Sequence, residues 1–247
     1  MKKRAKFLFY QIFAMAIYFL LATSCSKEDD NNSGKTVKDI DGNVYHTVTI
    51  GTQVWITENL KTTKYNDGTE IPNVTDNTEW FNLSAGAYCN YDNLESNAAI
   101  YGRFYNWYAV NTGKLAPAGW HVPTNEDWNI LINYLIANGY NWDGSKVDNK
   151  IAKSLASTTG WKFYHITGTP GSFPERNDST GFTVLPAGYR TLKGLYCNLS
   201  LYSGLWSSTE DNTDNATYRS MCFNVGSLYR ISFLKGSGFS VRCLRDN

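Results

Sequence analysis

The sequence predicts an α+β domain of mixed, mostly antiparallel sheets with two or three helices between them. Three observations carry that expectation. Strand-like runs broken by Asp-Gly and Gly-Ser turn signals occupy both ends of the span from residue 36 onward. A segment between them has the 3.6-residue apolar period of a helix. Apolar residues make up 42% and aromatic residues 15%, which supplies a core and excludes a disordered chain. The 247 residues suit one large domain or two small ones.

The chain opens with a segment of a different kind. Lys2, Lys3, Arg4 and Lys6 form a basic head, Phe7 to Thr23 is mainly apolar, and small residues lead to Cys25. A cationic start, an apolar core and small residues at the cut are the build of a signal peptide, assigned to residues 1–24. The Cys after small residues resembles the bacterial lipobox. That resemblance implies lipid attachment at Cys25, with cleavage before it and acylation of the new amine. Several chains anchor stably, since each buried methylene adds about 0.8 kcal/mol. Ordinary secretion and an uncleaved membrane anchor are the alternatives. Ser26-Lys27-Glu28-Asp29-Asp30 is similar to the signal that sends Bacteroidetes-type lipoproteins to the outer surface. A solvated linker explains the same residues. Residues 25–35 thus read as an acylated Cys and a flexible tether, and residues 36–247 as the folded domain.

The formal charge of +1 hides this division. Beyond residue 24 there are 19 basic and 22 acidic side chains, a balance of −3. A nucleic-acid binder needs the opposite surplus, so that partner is excluded.

Val37 to Ile40, Val44 to Ile50 and Val54 to Ile56 read as a three-stranded meander, with Asp41-Gly42 and Gly51-Thr52 at its turns. Tyr101 to Val110 reads as a helix from Phe104 and Tyr108 at i, i+4. A clearer helix starts at Thr124, a good N-cap, with Glu126 and Asp127 at the positive end of the dipole. Trp128, Leu131, Ile132, Leu135 and Ile136 form its buried stripe, and Asn138-Gly139 stops it. Val147, Ile151 and Leu155 suggest a further short helix. Phe182 to Leu185 reads as a strand, and Thr217 to Val225 with Leu228 to Leu234 as a second hairpin. Phe239 to Leu244 is the last strand. Pairing of the first and last strands would bring the ends of the domain together.

Six ordered blocks resemble a known family. They are Trp55-Ile56-Thr57-Glu58-Asn59-Leu60, Tyr101 to Ala109, Gly119-Trp120-His121-Val122-Pro123-Thr124 with Trp128, Leu185 to Arg190, Trp206 to Glu210, and Gly238 to Cys243. Together they look like the Fibrobacter succinogenes major paralogous domain family, common in lipoproteins of the Bacteroidetes and Fibrobacteres. That family implies no biochemical activity. A more distant likeness is to the C-type lectin-like fold, including its formylglycine-generating-enzyme branch. It implies a long loop region before the terminal hairpin, where ligands usually bind, though a fold does not fix a function.

Cys89, Cys197, Cys222 and Cys243 allow two disulfides in an exported protein, in three connectivities. The lectin-like topology implies Cys222 beside Cys243, leaving Cys89 with Cys197. Free buried thiols are the alternative. A metal cluster is disfavoured, with no C-x-x-C pair and only three His.

No catalytic motif is present. His46, His121 and His165 stand alone, and His121 is better read as a pin for the turn before its helix than as a base. H-E-x-x-H, G-x-S-x-G and phosphate loops are absent, and so is the catalytic cysteine pattern of the formylglycine-generating enzymes. The sequence points instead to non-catalytic binding. Trp206, Glu210, Asp211, Asn212 and Asp214 put an aromatic face beside carboxylates and an amide, the groups that meet sugar rings and hydroxyls. The same oxygens make Ca2+ a candidate cofactor, with a metal-free turn around a core Trp206 as the alternative. Trp142 and Trp161, in Gly- and Asn-rich surroundings, are further candidate platforms. Trp55, Trp107, Trp120 and Trp128 are assigned to the core. The expected protein is a lipid-anchored lipoprotein of the outer membrane, facing the cell exterior, that binds carbohydrate or another extracellular ligand. An adhesin or structural protein with a protein partner, and a divergent enzyme of the formylglycine-generating type, are the alternatives.

Overall fold

The computed structural model describes residues 36–246. The expectations for the signal peptide, for acylation of Cys25 and for the tether lie outside the described residues.

Strands β1 (Thr36–Lys38), β2 (Val44–Ile50) and β3 (Gln53–Ile56) form the expected antiparallel meander, with Val48 opposite Trp55. Asp39 builds its first turn. One carboxylate oxygen accepts the N–H groups of Asp41 and Asn43 at 3.0 and 2.9 Å, and the other accepts the Tyr45 hydroxyl at 2.6 Å. The next neighbour of β3 comes from the far end of the domain. Strand β12 (Leu244–Arg245) sets Leu244 opposite Trp55, and strand β6 (Trp120–His121) pairs on its other side. The sheet order is β1-β2-β3-β12-β6, antiparallel throughout. A second antiparallel sheet holds β9 (Tyr202–Glu210), β10 (Asn215–Cys222) and β11 (Tyr229–Leu234), with β10 central. Two short pairs, β4 (Tyr88–Cys89) with β5 (Phe104–Tyr105) and β7 (Tyr189–Arg190) with β8 (Tyr196–Cys197), complete the β-structure.

Five α-helices occur among the described residues: α1 (Asn77–Phe81), α2 (Glu95–Tyr101), α3 (Trp107–Val110), α4 (Asn125–Ala137) and α5 (Ala152–Leu155). Only α4 is long. Thr124 and Asp127 close a capping box at its start, satisfying N–H groups that the helix itself leaves unpaired. Its buried stripe of Trp128, Leu131 and Leu135 packs with Trp55 and Phe182, the two indoles 4.8 Å apart. Each such indole removes roughly 200 Å² from water, on the order of 5 kcal/mol before the opposing entropy of ordering. A second cluster gathers Tyr105, Trp107, Trp206, Tyr218 and Phe239. Tyr218 and Phe239 stack at 4.4 Å with an interplanar angle of 14°.

The segment from Gly238 to Arg245 binds these parts together. Backbone carbonyls of Gly238, Phe239, Ser240, Val241 and Cys243 accept the N–H groups of Arg190, Tyr105, Trp206, Leu60 and Ile56, at 2.9 to 3.0 Å. It was expected as a plain strand. Its hydrogen bonds instead go to several segments, so only its last two residues form a ladder.

Other expectations are corrected too. The helix over 101–110 is broken: Gly102 turns with φ 75°, Phe104–Tyr105 is a strand, and a new helix starts after Asn106. The side chain of Asn106 caps that helix by accepting the Ala109 N–H at 3.1 Å. Phe182 to Leu185 makes only an isolated bridge at Val184, because Thr183 has φ 57° and the carbonyls of Phe182 and Thr183 turn to Arg242. Val147 does not belong to a buried stripe and is 64% exposed. Tyr202–Glu210, expected as loop, is a nine-residue strand.

Candidate functional site

Strand β9 decides the fate of the acidic stretch. Trp206 is fully buried, its indole N–H donating to the Tyr105 carbonyl at 2.8 Å. It is therefore corrected from a sugar platform to a core residue. Its position on β9, wedged edge-on against Phe239 at 4.8 Å, explains why. The polar residues after it serve the β9–β10 turn. Asn212 accepts the N–H groups of Asp214 and Asn215, both at 3.0 Å. Asp211 takes the Ser232 hydroxyl at 2.8 Å, and Glu210 pairs with the ammonium of Lys235. The Asp214 carbonyl receives the Lys235 N–H at 3.0 Å. These carboxylates face separate partners. Among the described residues no group of three or more His, Cys, Asp or Glu side chains could hold a metal ion.

The cysteines are corrected in the same way. Cys89, Cys197, Cys222 and Cys243 are all free. Cys222 ends β10 of the three-stranded sheet, opposite Tyr202, whereas Cys243 is buried in the Tyr105–Trp107–Phe239 cluster. Cys89 is on β4 and Cys197 on β8, which belong to separate strand pairs. Burial pushes the Cys89 thiol up to about 11, and raises Cys243 well above the usual thiol value.

His121 bridges two parts of the chain. One ring nitrogen meets Asp246 at 2.6 Å and the other meets Asp127 at 3.3 Å. Asp127 also caps α4, so the imidazole ties the helix start to the C-terminal segment. Its hydrogen bond with Asp127 is the main cause of a raised pKa, opposed by partial burial and helped by Asp246. Burial raises the Asp127 carboxyl, but hydrogen bonds from His121 and Thr124 outweigh it and bring the group to about 2. Both ring nitrogens are committed to structure.

The motif blocks are framework in the same sense. Arg242 is fully buried, and its guanidinium reaches Asn59 and the carbonyls of Ile56, Phe182 and Thr183 at 2.8 to 3.2 Å. Arg190, equally buried, donates to the carbonyls of Val74, Thr75 and Gly194 and stacks over Trp80 at 4.5 Å. Neither meets a carboxylate among the described ion pairs.

Surface chemistry concentrates elsewhere, in a cleft of about 570 Å³ between the end of α4 and the loops 141–150 and 163–181. That volume lies within the range of ligand sites. Asn141 shapes the first loop. Its amide donates to the carbonyls of Ser145, Val147 and Asp148, and its oxygen accepts the Lys150 N–H. This presents Trp142, 44% exposed, on the cleft wall. The ring leans on Gly168, where a Cβ would come within 2.3 Å of it and where φ is +90°. Glycine is needed there on both counts.

Lys153 shapes the second loop. Its ammonium donates to the carbonyls of Ser172 and Phe173 and to Asn177 Oδ1, the last at 2.7 Å. Burial lowers its pKa. Phe173, so held, is 51% exposed and has the left-handed φ of 48°, a strained state for a bulky residue. The Arg176 guanidinium lies 5.2 Å from its ring centre. Ser172, in the same wall, is 1% exposed with a hydroxyl that finds no partner among the described residues.

Of the platforms named from sequence, the structure brings Trp142 to this cleft and removes Trp161, which is 6% exposed. Sequence reasoning missed Lys153, Phe173 and Arg176. The available signal was the aperiodic run from Phe163 to Arg176, rich in Gly, Pro and aromatic residues.

The Fibrobacter succinogenes major domain family model matches residues 48–245, and the chain belongs to that family. No curated protein and no solved structure matched the chain.

Proposed function

We propose that the chain is a lipid-anchored surface protein of the outer membrane whose domain binds carbohydrate without catalysis. The carrying observation is Trp142, a half-exposed indole on the wall of the 570 Å³ cleft that Asn138, Thr167 and Ser179 also line. Sugars present apolar ring faces and edges of hydroxyls, which an indole flanked by amide and hydroxyl groups complements. The strained, exposed Phe173 supports the same assignment, since strain gathers at binding sites. The non-catalytic part rests on His121, whose ring is fully used by Asp127 and Asp246. A C-type lectin-like arrangement belongs to this proposal. It draws support from the pairing of late strand β12 with early strand β3, and from the loop-rich stretch after α4.

A glycan array probed with the intact chain in detergent, with and without EDTA, tests this. Binding that disappears in Trp142→Ala is expected. Binding to no glycan, or binding indifferent to that change, overturns it. Loss of binding in EDTA would add Ca2+ to the site. The anchor is tested separately: Cys25→Ser should abolish labelling by radioactive palmitate, and unchanged labelling defeats it.

A protein partner is the second reading, favoured by β11. This outer strand of its sheet exposes Tyr229 (51%), Ile231 (37%) and Leu234 (39%). An exposed apolar edge is a ready surface for strand pairing.

A further inference from the structure

The charge of the cleft goes further than its aromatic wall. Lys153 and Arg176 line it, and no Asp or Glu does. The domain and tether together carry an excess of acid, so two cations without lining acids are against the trend of the chain.

Neither cation is neutralised by an ion pair among the described residues. Lys153 spends its donors on two carbonyls and an amide oxygen, all uncharged. It therefore contributes field rather than a free hydrogen bond. Lys153 holds the carbonyl of Phe173, whose ring faces the Arg176 guanidinium, so both cations act on one loop of the cleft. The exposed Glu175 stands outside the lining but acts on the Lys153 ammonium too and offsets part of its field. Arg176 is exposed, and its only described side-chain contact is the face of Phe173. Stacking on an aromatic ring fixes the guanidinium plane and leaves its N–H edge open. A planar fork with open donors is the geometry that takes a carboxylate or another oxyanion through two parallel hydrogen bonds.

We propose that this cleft selects an acidic saccharide, with a sugar ring against Trp142 and the oxyanion of a carboxylate or sulfate on Arg176. Lys153 adds long-range attraction from the cleft wall. This rests on the carbohydrate-binding assignment and narrows it to one class of ligand. A neutral glycan would leave the guanidinium unanswered, while an acidic one satisfies it and the field of Lys153 together.

The test compares three probes on the intact chain by titration calorimetry: an oligogalacturonate, a sulfated galactan oligomer and a neutral glucan oligomer. The variants are Arg176→Ala, Arg176→Lys and Trp142→Ala. Arg176 is exposed, so its replacement leaves the thermal midpoint in place. At least one acidic probe should bind tighter than the glucan, and Arg176→Ala should weaken it about tenfold. Arg176→Lys should recover only part, because an ammonium lacks the fork. Tighter binding of galacturonate identifies the carboxylate as the ligand group, and of the galactan the sulfate. Equal affinity for neutral and acidic probes, unmoved by Arg176→Ala but removed by Trp142→Ala, overturns the acidic class and keeps carbohydrate binding. Absence of binding to all three probes and to the glycan array overturns both.

Discussion

Arg242 Nε donates to Asn59 Oδ1 at 2.8 Å, joining residues 183 positions apart in the sequence. Both are buried, and the remaining guanidinium donors meet three backbone carbonyls. The cation is held by dipoles and by the ring of Phe182, 5.2 Å away. Burial lowers its pKa to about 10, so it stays charged at neutral pH. Replacing it by Met strips a donor from Asn59 and from three backbone carbonyls, of which only that of Thr183 is partly exposed. A loss of about 3 kcal/mol or more is expected, read as a lower urea midpoint. An unchanged midpoint would refute the pinning role.

The bridge at His121 makes stability depend on pH at both ends. Its folded pKa is raised above 6.5. Its contribution is therefore complete below 6.5 and fades as pH rises through the folded value. Asp127 behaves oppositely. Its pKa falls to about 2, so its contribution holds above 3.8 and is lost as pH drops through 2. Thermal midpoints of the wild type and His121→Gln should differ most near pH 5 and converge at alkaline pH. Parallel curves across that range would contradict this.

Gly168→Ala should act on the cleft more than on the fold. The new methyl would meet the Trp142 ring at 2.3 Å, at a φ of +90° that alanine resists. The indole must then move. A shifted tryptophan emission spectrum is expected, with about 1 kcal/mol lost from stability. Emission identical to wild type would show that the ring does not rest there.

Free thiols predict a graded reaction with an aromatic disulfide reagent. Cys197 and Cys222 are partly exposed and should react in the native chain, Cys222 the more slowly because burial raises its thiol pKa. Cys89 and Cys243, buried and with raised pKa values, should react only after denaturation. Peptide mapping without reductant should find all four unpaired. A Cys222–Cys243 peptide would reverse the assignment.

The legible parts of the fold were those with local causes. Helix α4 announced itself through Thr124, Asp127 and the Trp128–Leu131–Leu135 spacing, all of which act within the helix. The opening meander was equally local. Strand β9 was missed because Gly204, Ser203 and Ser207 are small or polar yet fully enclosed. They must be small: a Cβ at Gly204 would sit 2.3 Å from Phe239. That requirement comes from a residue 35 positions away. The cleft shows the same limit. Trp142 stood out by type and surroundings, but Phe173 and Arg176 join it only because Lys153 grips the loop that carries them. The family blocks misled for the site, since Trp206, Arg190 and Arg242 hold the scaffold from inside.

The hydrogen bonds of Gly238–Arg245 also set an order of events. Every segment this stretch bonds to precedes it in the chain, from Ile56 to Trp206. Strand β3 has no partner on its inner side until Leu244 exists. During synthesis the earlier elements can form local turns and the α4 helix, but the five-stranded sheet waits for its penultimate member. A chain clipped ahead of Gly238 therefore loses the keystone of several sheets at once, and proteolysis there should release an unfolded polypeptide rather than a trimmed domain.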